Sequence, residues 1–72
     1  MPIIVLKTNI ATDKMVRSLK RLFAPHPAVQ KWTVDTEDID NVLRVEARPG
    51  LTETDVLNMI RCRGFQGEAL PD

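Results

Sequence analysis

Residues 3–10 divide into two alternating sets of side chains. One set is apolar except for one threonine: Ile4, Leu6, Thr8 and Ile10. The other set is mixed: Ile3, Val5, Lys7 and Asn9. A period of two over eight residues is typical of a β-strand with one buried face, so the pattern predicts a strand here.

The next segment changes to helical spacing. Its apolar positions are Met15, Val16, Leu19, Leu22 and Phe23. Thr12 is a suitable N-cap, and Asp13 in the first turn suits the positive end of the helix dipole. Pro25 and Pro27 cannot continue a helix, so the pattern predicts a helix that ends before them.

Two further strands follow, joined by the acidic turn 36–40. Residues 29–35 place Trp32 and Val34 on one face, and the following strand alternates Leu43, Val45 and Ala47 with charged residues. Thr52 and Asp55 then form a variant of the capping box, which begins a second helix. Its apolar stripe is Val56, Leu57, Met59 and Ile60. Gly64 is expected to end this helix, and residues 65–70 can supply a short last strand.

The order strand, helix, strand, strand, helix, strand predicts a single α+β domain over residues 1–72. Right-handed crossovers place both helices on the same face of one four-stranded antiparallel sheet, which is the ferredoxin-like βαββαβ arrangement. Ile3 and Val5 would then lie on the open sheet face. A homodimer that covers this face is an alternative the sequence leaves open.

Composition limits the classes of partner. Ten basic and ten acidic residues cancel, so no net charge draws the chain onto nucleic acid or an anionic membrane. The aromatic residues needed to stack bases are few and fit the core. The single cysteine suits a reducing compartment, and the apolar run at residues 3–6 is too short for a signal peptide or a membrane span. We therefore expect a cytoplasmic domain without nucleic-acid binding or membrane insertion.

Catalysis is not expected. His26 has no positioned carboxylate and is read as a turn residue between two prolines, far from the first loop. Cys62 has no evident base, and no glycine-rich loop could cradle a phosphate.

Three segments resemble heavy-metal-associated domains, the small copper-chaperone-like modules. Residues 6–10 resemble the first strand of that family, residues 29–35 its second strand, and residues 51–65 its second helix with the following Gly-Phe. The resemblance extends over nearly the whole chain. It implies the βαββαβ fold, and it implies soft-metal binding, chiefly of Cu(I), with transfer to partner domains of the same fold.

The metal motif itself departs from the family. The resemblance places two cysteines, three residues apart, at positions that here hold Thr12 and Met15. Cu(I) carriers need soft, deprotonated sulfur ligands, whereas a hydroxyl is hard and a thioether is neutral and weak. No cofactor is therefore expected, although Cu(I) or another soft metal is kept open through a site formed by Thr12, Met15 and Cys62.

Charged residues near this loop suggest other roles. Arg63 stands where the family usually has a small residue, and its guanidinium could face Asp13 or the loop carbonyls, or simply complement the dipole at a helix end. A basic face of the first helix consists of Lys14, Arg17, Lys20 and Arg21. The acidic residues are segregated on the turn between strands two and three. Such segregation suits transient, salt-sensitive docking to an acidic partner.

Two functions follow as hypotheses. The first is a degenerate heavy-metal-associated domain that acts as an accessory interaction module with weak or lost metal binding. It would dock an acidic protein, including one of the same fold. The alternative is a divergent soft-metal carrier that uses Met15 and Cys62, with further ligands from a partner or a second copy.

Overall fold

The computed structural model describes residues 3–70 and contains six elements. In chain order they are β1 (Ile3–Thr8), α1 (Asp13–Phe23), β2 (Val29–Asp35), β3 (Val42–Ala47), α2 (Glu53–Cys62) and β4 (Gly67–Ala69). The predicted succession of elements is confirmed. Neither helix in this part of the chain is long and apolar enough to cross a membrane.

The four strands form one antiparallel sheet in the order β2-β3-β1-β4. The register pairs Leu6 with Leu43, and Thr8 with Gly67. This topology, with the two helices over one face, is the ferredoxin-like α+β fold, so the predicted fold class is confirmed. Ile3, 54% exposed, lies on the opposite face, as its position in the alternation predicts.

The core fills the space between the helices and the sheet. Its largest fully buried side chains are Phe23, Leu6, Ile10, Leu19, Leu43, Ile60, Val45 and Val56. The aromatic ring of Phe23 lies 5.5 Å from that of half-buried Trp32, centroid to centroid, in a tilted arrangement. Such tilted pairs are favourable beyond the area they bury. The alternation read from the first and third strands therefore identifies the side chains that face the helices.

β1 ends at Thr8, two residues before the predicted end. The buried Thr8 Oγ1 accepts a hydrogen bond from the backbone N–H of Ile10 at 3.1 Å and donates to the carbonyl oxygen of Asn41 at 2.6 Å. A threonine that bonds to the backbone two residues on offers the chain an alternative to the strand ladder. Ile10 remains fully buried, so the alternation continues past the strand although the strand pairing does not.

Each helix begins at a side-chain cap. The Oγ1 of Thr12 accepts from the backbone N–H of Met15 at 3.2 Å. Thr52 and Asp55 form a complete capping box, with the Thr52 N–H 3.0 Å from Asp55 Oδ2 and the Asp55 N–H 3.2 Å from Thr52 Oγ1. After α2 the chain turns at Gly64, whose φ of +86° lies in the left-handed region that glycine adopts without strain. Both predicted caps and the predicted stop are confirmed.

The capping box makes the stability of the domain depend on pH in the acid range. Hydrogen bonds from the Thr52 backbone, and then from its hydroxyl, hold the pKa of Asp55 below its ordinary value of 3.8. The charge of His26 lowers it further, and slight desolvation opposes the shift. A lowered pKa in the folded state contributes stability above pH 3.8, and that stability is lost as the pH falls through the folded-state pKa.

We expect Asp55→Asn to be less stable than the wild type at pH 7, with the difference shrinking below about pH 4 as Asp55 protonates. Urea unfolding measured from pH 7 to pH 2 would show it. A difference that stays constant across this range would contradict a role for the Asp55 charge. Asp13→Asn, a change at an exposed first-turn aspartate without a capping-box bond, is the control.

Candidate functional site

Three connections meet at one end of the sheet. The loop after β1 begins at Thr8, the last residue of the strand, whose N–H donates to the Asp40 carbonyl oxygen in the β2–β3 turn at 3.1 Å. It is tied to the α2–β4 connection by Asn9, whose N–H donates to the Gln66 carbonyl oxygen at 3.3 Å and whose Oδ1 accepts from the Gln66 N–H at 2.9 Å. The loop that resembles a metal loop is therefore held from both sides.

Within this loop, the two side chains at the positions where the resemblance expects cysteines, Thr12 and Met15, already have partners. Thr12 Oγ1 accepts the capping hydrogen bond from Met15 N–H. The thioether sulfur of Met15 lies 3.5 Å from the backbone nitrogen of Ala11, which donates to it. The loop's hydroxyl and its sulfur are thus turned toward its own backbone. A metal would have to compete with these contacts using a hard donor and a neutral thioether.

Cys62, the third predicted ligand, is an exposed free thiol in the last turn of α2. Across residues 3–70, no three histidine, cysteine, aspartate or glutamate side chains are grouped so that they could hold a metal ion. That finding does not concern threonine hydroxyls or methionine thioethers. The predicted site of Thr12, Met15 and Cys62 is therefore untested and stays a prediction.

His26 lies at the opposite end of the domain, beside Asp55 at the start of α2. Its Nδ1 accepts a hydrogen bond from the backbone N–H of Ala28 at 3.1 Å. This hydrogen bond occupies the lone pair of Nδ1, so a metal at that nitrogen would have to displace it. His26 acts as a turn residue, as its sequence context suggested.

A groove between α1 and the end of α2 is the most strongly charged concavity described. It has a volume of about 510 Å³ and is lined by Lys14, Arg17, Ser18, Arg21 and Arg63. We call these five residues the basic groove. The three α1 cations fall three, four and seven residues apart, which places them on one side of the helix, and Arg63 adds a fourth cation from the C-cap of α2.

No carboxylate of the described chain neutralises this groove. Among residues 3–70, the one ion pair is Lys7–Asp40, with 3.5 Å between Nζ and Oδ1. Asp13 and Arg63, the two loop-adjacent charges named from the sequence, form no ion pair, which agrees with the alternative that Arg63 complements the dipole at the end of α2. Four like charges around one concavity raise the local potential and favour an anionic partner.

The predicted basic face and the basic groove overlap without being identical. Lys20 is exposed but does not line the groove, whereas Ser18 and Arg63 do. Ser18 carries no charge, so no sequence signal marked it as part of a binding surface. Its position four residues after Lys14 places it on the same side of the helix. Arg63 was singled out by its place before Gly64, but no sequence signal connects it to residues more than forty positions earlier.

No family model matches the chain, and no curated protein matches it. A search of solved structures finds one described as "Crosstalk between Cu(I) and Zn(II) homeostasis", with a TM-score of 0.81 and 18% sequence identity. The match covers 97% of this chain and all of the other. At this identity, the likeness shows that the two share the βαββαβ fold along their whole lengths.

Proposed function

We propose that this chain is a degenerate heavy-metal-associated domain that serves as an accessory protein-interaction module. In this proposal, the loop after β1 has weak or no affinity for Cu(I), and the basic groove docks an acidic partner protein. The full-length structural likeness to a protein studied in Cu(I) and Zn(II) homeostasis supports the lineage. The four unneutralised cations of the basic groove are the single observation that carries the docking function.

The state of the loop supports weak or lost metal binding. A soft-metal carrier presents sulfur ligands outward, so that a partner can take the ion by ligand exchange. Here the Met15 sulfur contacts the Ala11 N–H, and the Thr12 hydroxyl stabilises the first turn of α1. Removing either group from its contact would cost helix or loop stability before any metal–ligand bond formed.

The composition of the groove supports docking to carboxylates. Arginine presents a planar fork of donors that matches a carboxylate in bidentate geometry, and its guanidinium is more weakly hydrated than an ammonium group. Three of the four groove cations are arginines. A partner with a run of aspartate or glutamate would satisfy these donors, and the contact would weaken in salt because every cation of the groove is exposed.

We expect Arg17→Glu/Arg21→Glu to weaken binding of a fluorescent poly-glutamate peptide by at least about tenfold at low ionic strength. The reason is that two attractive contacts become repulsive, and each exposed pair contributes up to about 1 kcal/mol. Fluorescence anisotropy measures the affinity. The matched control is Lys31→Glu/Arg48→Glu, which makes the same change in net charge at exposed positions in β2 and just after β3.

Equal loss in both double variants would show that net charge, and not the groove, governs binding. Peptide binding that persists in the groove variant would contradict the proposal. Repeating both titrations at about 1 M salt, where the Debye length is about 3 Å, should abolish the difference between the variants.

A further inference from the structure

We infer that the basic groove is also a docking site for a second copy of this chain, whose acidic β2–β3 turn enters it. The inference rests on the proposed function only in using the same groove. It adds a particular occupant: the segment 35–40, which carries Asp35, Glu37, Asp38 and Asp40 with Ile39 near its tip. Docking in pairs would conceal the groove until an acidic partner displaces the second copy.

The acidic turn is a preorganised ligand. Asp35 Oδ1 accepts from the N–H groups of Glu37 at 3.1 Å and Asp38 at 3.2 Å, and Asp38 Oδ1 accepts from the Asp40 N–H at 2.8 Å. The Asp38 carbonyl oxygen accepts from the N–H of Asn41, which has a left-handed φ of +45°. Because this conformation is already fixed, docking would cost little ordering entropy.

Ile39 gives this turn an apolar tip. The residue is 93% exposed, the most exposed large hydrophobic residue in the described chain, and carboxylates flank it at Asp38 and Asp40. An isoleucine held in water on a rigid turn loses the stabilisation that burial would give it. The aliphatic stems of the groove's arginines and lysine offer apolar surface below their charged ends.

The chain supplies both halves of this contact and satisfies neither within itself. The groove cations have no carboxylate partner among residues 3–70, and of the acidic turn only Asp40 forms an ion pair, with Lys7. Ten positive and ten negative residues cancel in total, so two copies do not repel each other through net charge. A second copy is therefore an occupant with complementary charge.

The topology allows the contact to be reciprocal. Thr8 bonds to Asp40, which places the acidic turn beside the end of β1. Gly67 pairs with Thr8, which places the segment after Arg63 at the same end of the sheet. Since the turn and the entry of the groove lie at one end, a two-fold axis can bring each turn to the other copy's groove. A closed pair with two equivalent contacts results.

Sedimentation velocity from about 10 μM to about 1 mM, the range of weak association, tests the inference. At low salt we expect a monomer–dimer equilibrium whose dissociation constant rises at least tenfold near 1 M salt. The groove variant Arg17→Glu/Arg21→Glu and the turn variant Glu37→Lys/Ile39→Lys should each stay monomeric. The side chains changed in the turn variant make none of the turn's hydrogen bonds.

A mixture of the two variants tests directly whether the groove of one copy contacts the turn of the other. In the mixture, the native groove of the turn variant meets the native turn of the groove variant, which restores one attractive contact. The other contact pairs a groove of balanced charge with a turn whose negative charge is reduced, and it adds little attraction. We expect a heterodimer in the mixture although each variant alone is monomeric. Lys31→Glu/Arg48→Glu, the matched control at exposed positions outside both the groove and the turn, should keep the wild-type equilibrium.

A wild-type chain that is monomeric across this range at low salt would overturn the inference. So would a dimer that both variants retain, since that result would indicate the open sheet face, or a mixture that fails to associate. Poly-glutamate binding by a strictly monomeric chain would leave the proposed function standing alone. Self-association without peptide binding would support the self-docking inference and contradict the proposed function.

Discussion

Phe23→Ala is expected to remove about 3–5 kcal/mol from the free energy of unfolding, a large fraction of the total stability of so small a domain. Phe23 is only 1% exposed and is among the largest fully buried side chains, at the last turn of α1. Truncating a buried phenylalanine typically costs about 3–5 kcal/mol, because the apolar contacts are lost and a cavity remains. At about 0.05–0.15 kcal/mol per residue, a domain of 72 residues has only roughly 4–11 kcal/mol of stability in total.

The position of Phe23 increases this cost. Its ring packs against Trp32 of β2, so the contact joins α1 to an edge strand of the sheet. Urea unfolding followed by far-UV circular dichroism and Trp32 fluorescence measures the loss. Ile39→Ala, at a side chain that is 93% exposed, should change stability by less than about 0.5 kcal/mol. A Phe23→Ala protein that unfolds within 1 kcal/mol of the wild type would contradict this account of the core.

The elements could be predicted because their signals are local. Alternation identified β1 and β3, helical spacing identified α1 and α2, and β2 was predicted with the bounds observed, residues 29–35. The end of β1 was missed because Thr8 bonds to Asn41, thirty-three residues later, and alternation continues through buried Ile10. A tertiary hydrogen bond of that kind leaves no trace in the periodicity.

A register irregularity in β2 was likewise invisible in the sequence. Between Val29 and Lys31 the pairing with β3 shifts, so that Val29 pairs with Ala47 and Lys31 with Glu46. A bulge inserts one extra residue on one strand and changes which side chains share a face. This shift lets Val29 and Trp32, three positions apart, both pack against the core. Alternation alone would place them on opposite faces.

The basic groove shows the same division between local and tertiary information. The cations on α1 could be predicted from helical spacing. The inclusion of Arg63, and the exclusion of Lys20, depend on where α2 ends relative to α1. The absence of a carboxylate partner within residues 3–70 is also a tertiary fact. The positions of the α1 cations could therefore be predicted from the sequence, whereas their arrangement around one concavity with Arg63 depends on the tertiary fold.

The backbone of the loop after β1 allows a more direct test of the resemblance to metal carriers than the basic groove does. Thr12 and Met15 are joined by the capping hydrogen bond across the first turn of α1. Two cysteines at these positions would therefore be carried by one short, anchored segment. If this chain descends from a metal carrier, the segment should still bring two thiolates together.

We accordingly expect Thr12→Cys/Met15→Cys to raise Cu(I) affinity by at least about a thousandfold over the wild type, or about 4 kcal/mol. Two thiolates supply the soft, anionic ligands that the hydroxyl and thioether lack. Losing the threonine cap should cost about 1 kcal/mol, which leaves the domain folded. The measurement is a titration with Cu(I) against a chromophoric chelator, with the protein reduced and oxygen excluded.

Thr12→Ser/Met15→Leu is the matched control, because it keeps a capping hydroxyl and an apolar side chain but adds no thiol. It should compete for Cu(I) no better than the wild type. Competition by the wild type that disappears in Cys62→Ser would instead identify a divergent carrier based on Cys62. A folded double-cysteine variant without any gain in affinity would contradict the resemblance of this loop to a metal loop, because two thiolates on that scaffold should suffice for a soft monovalent ion.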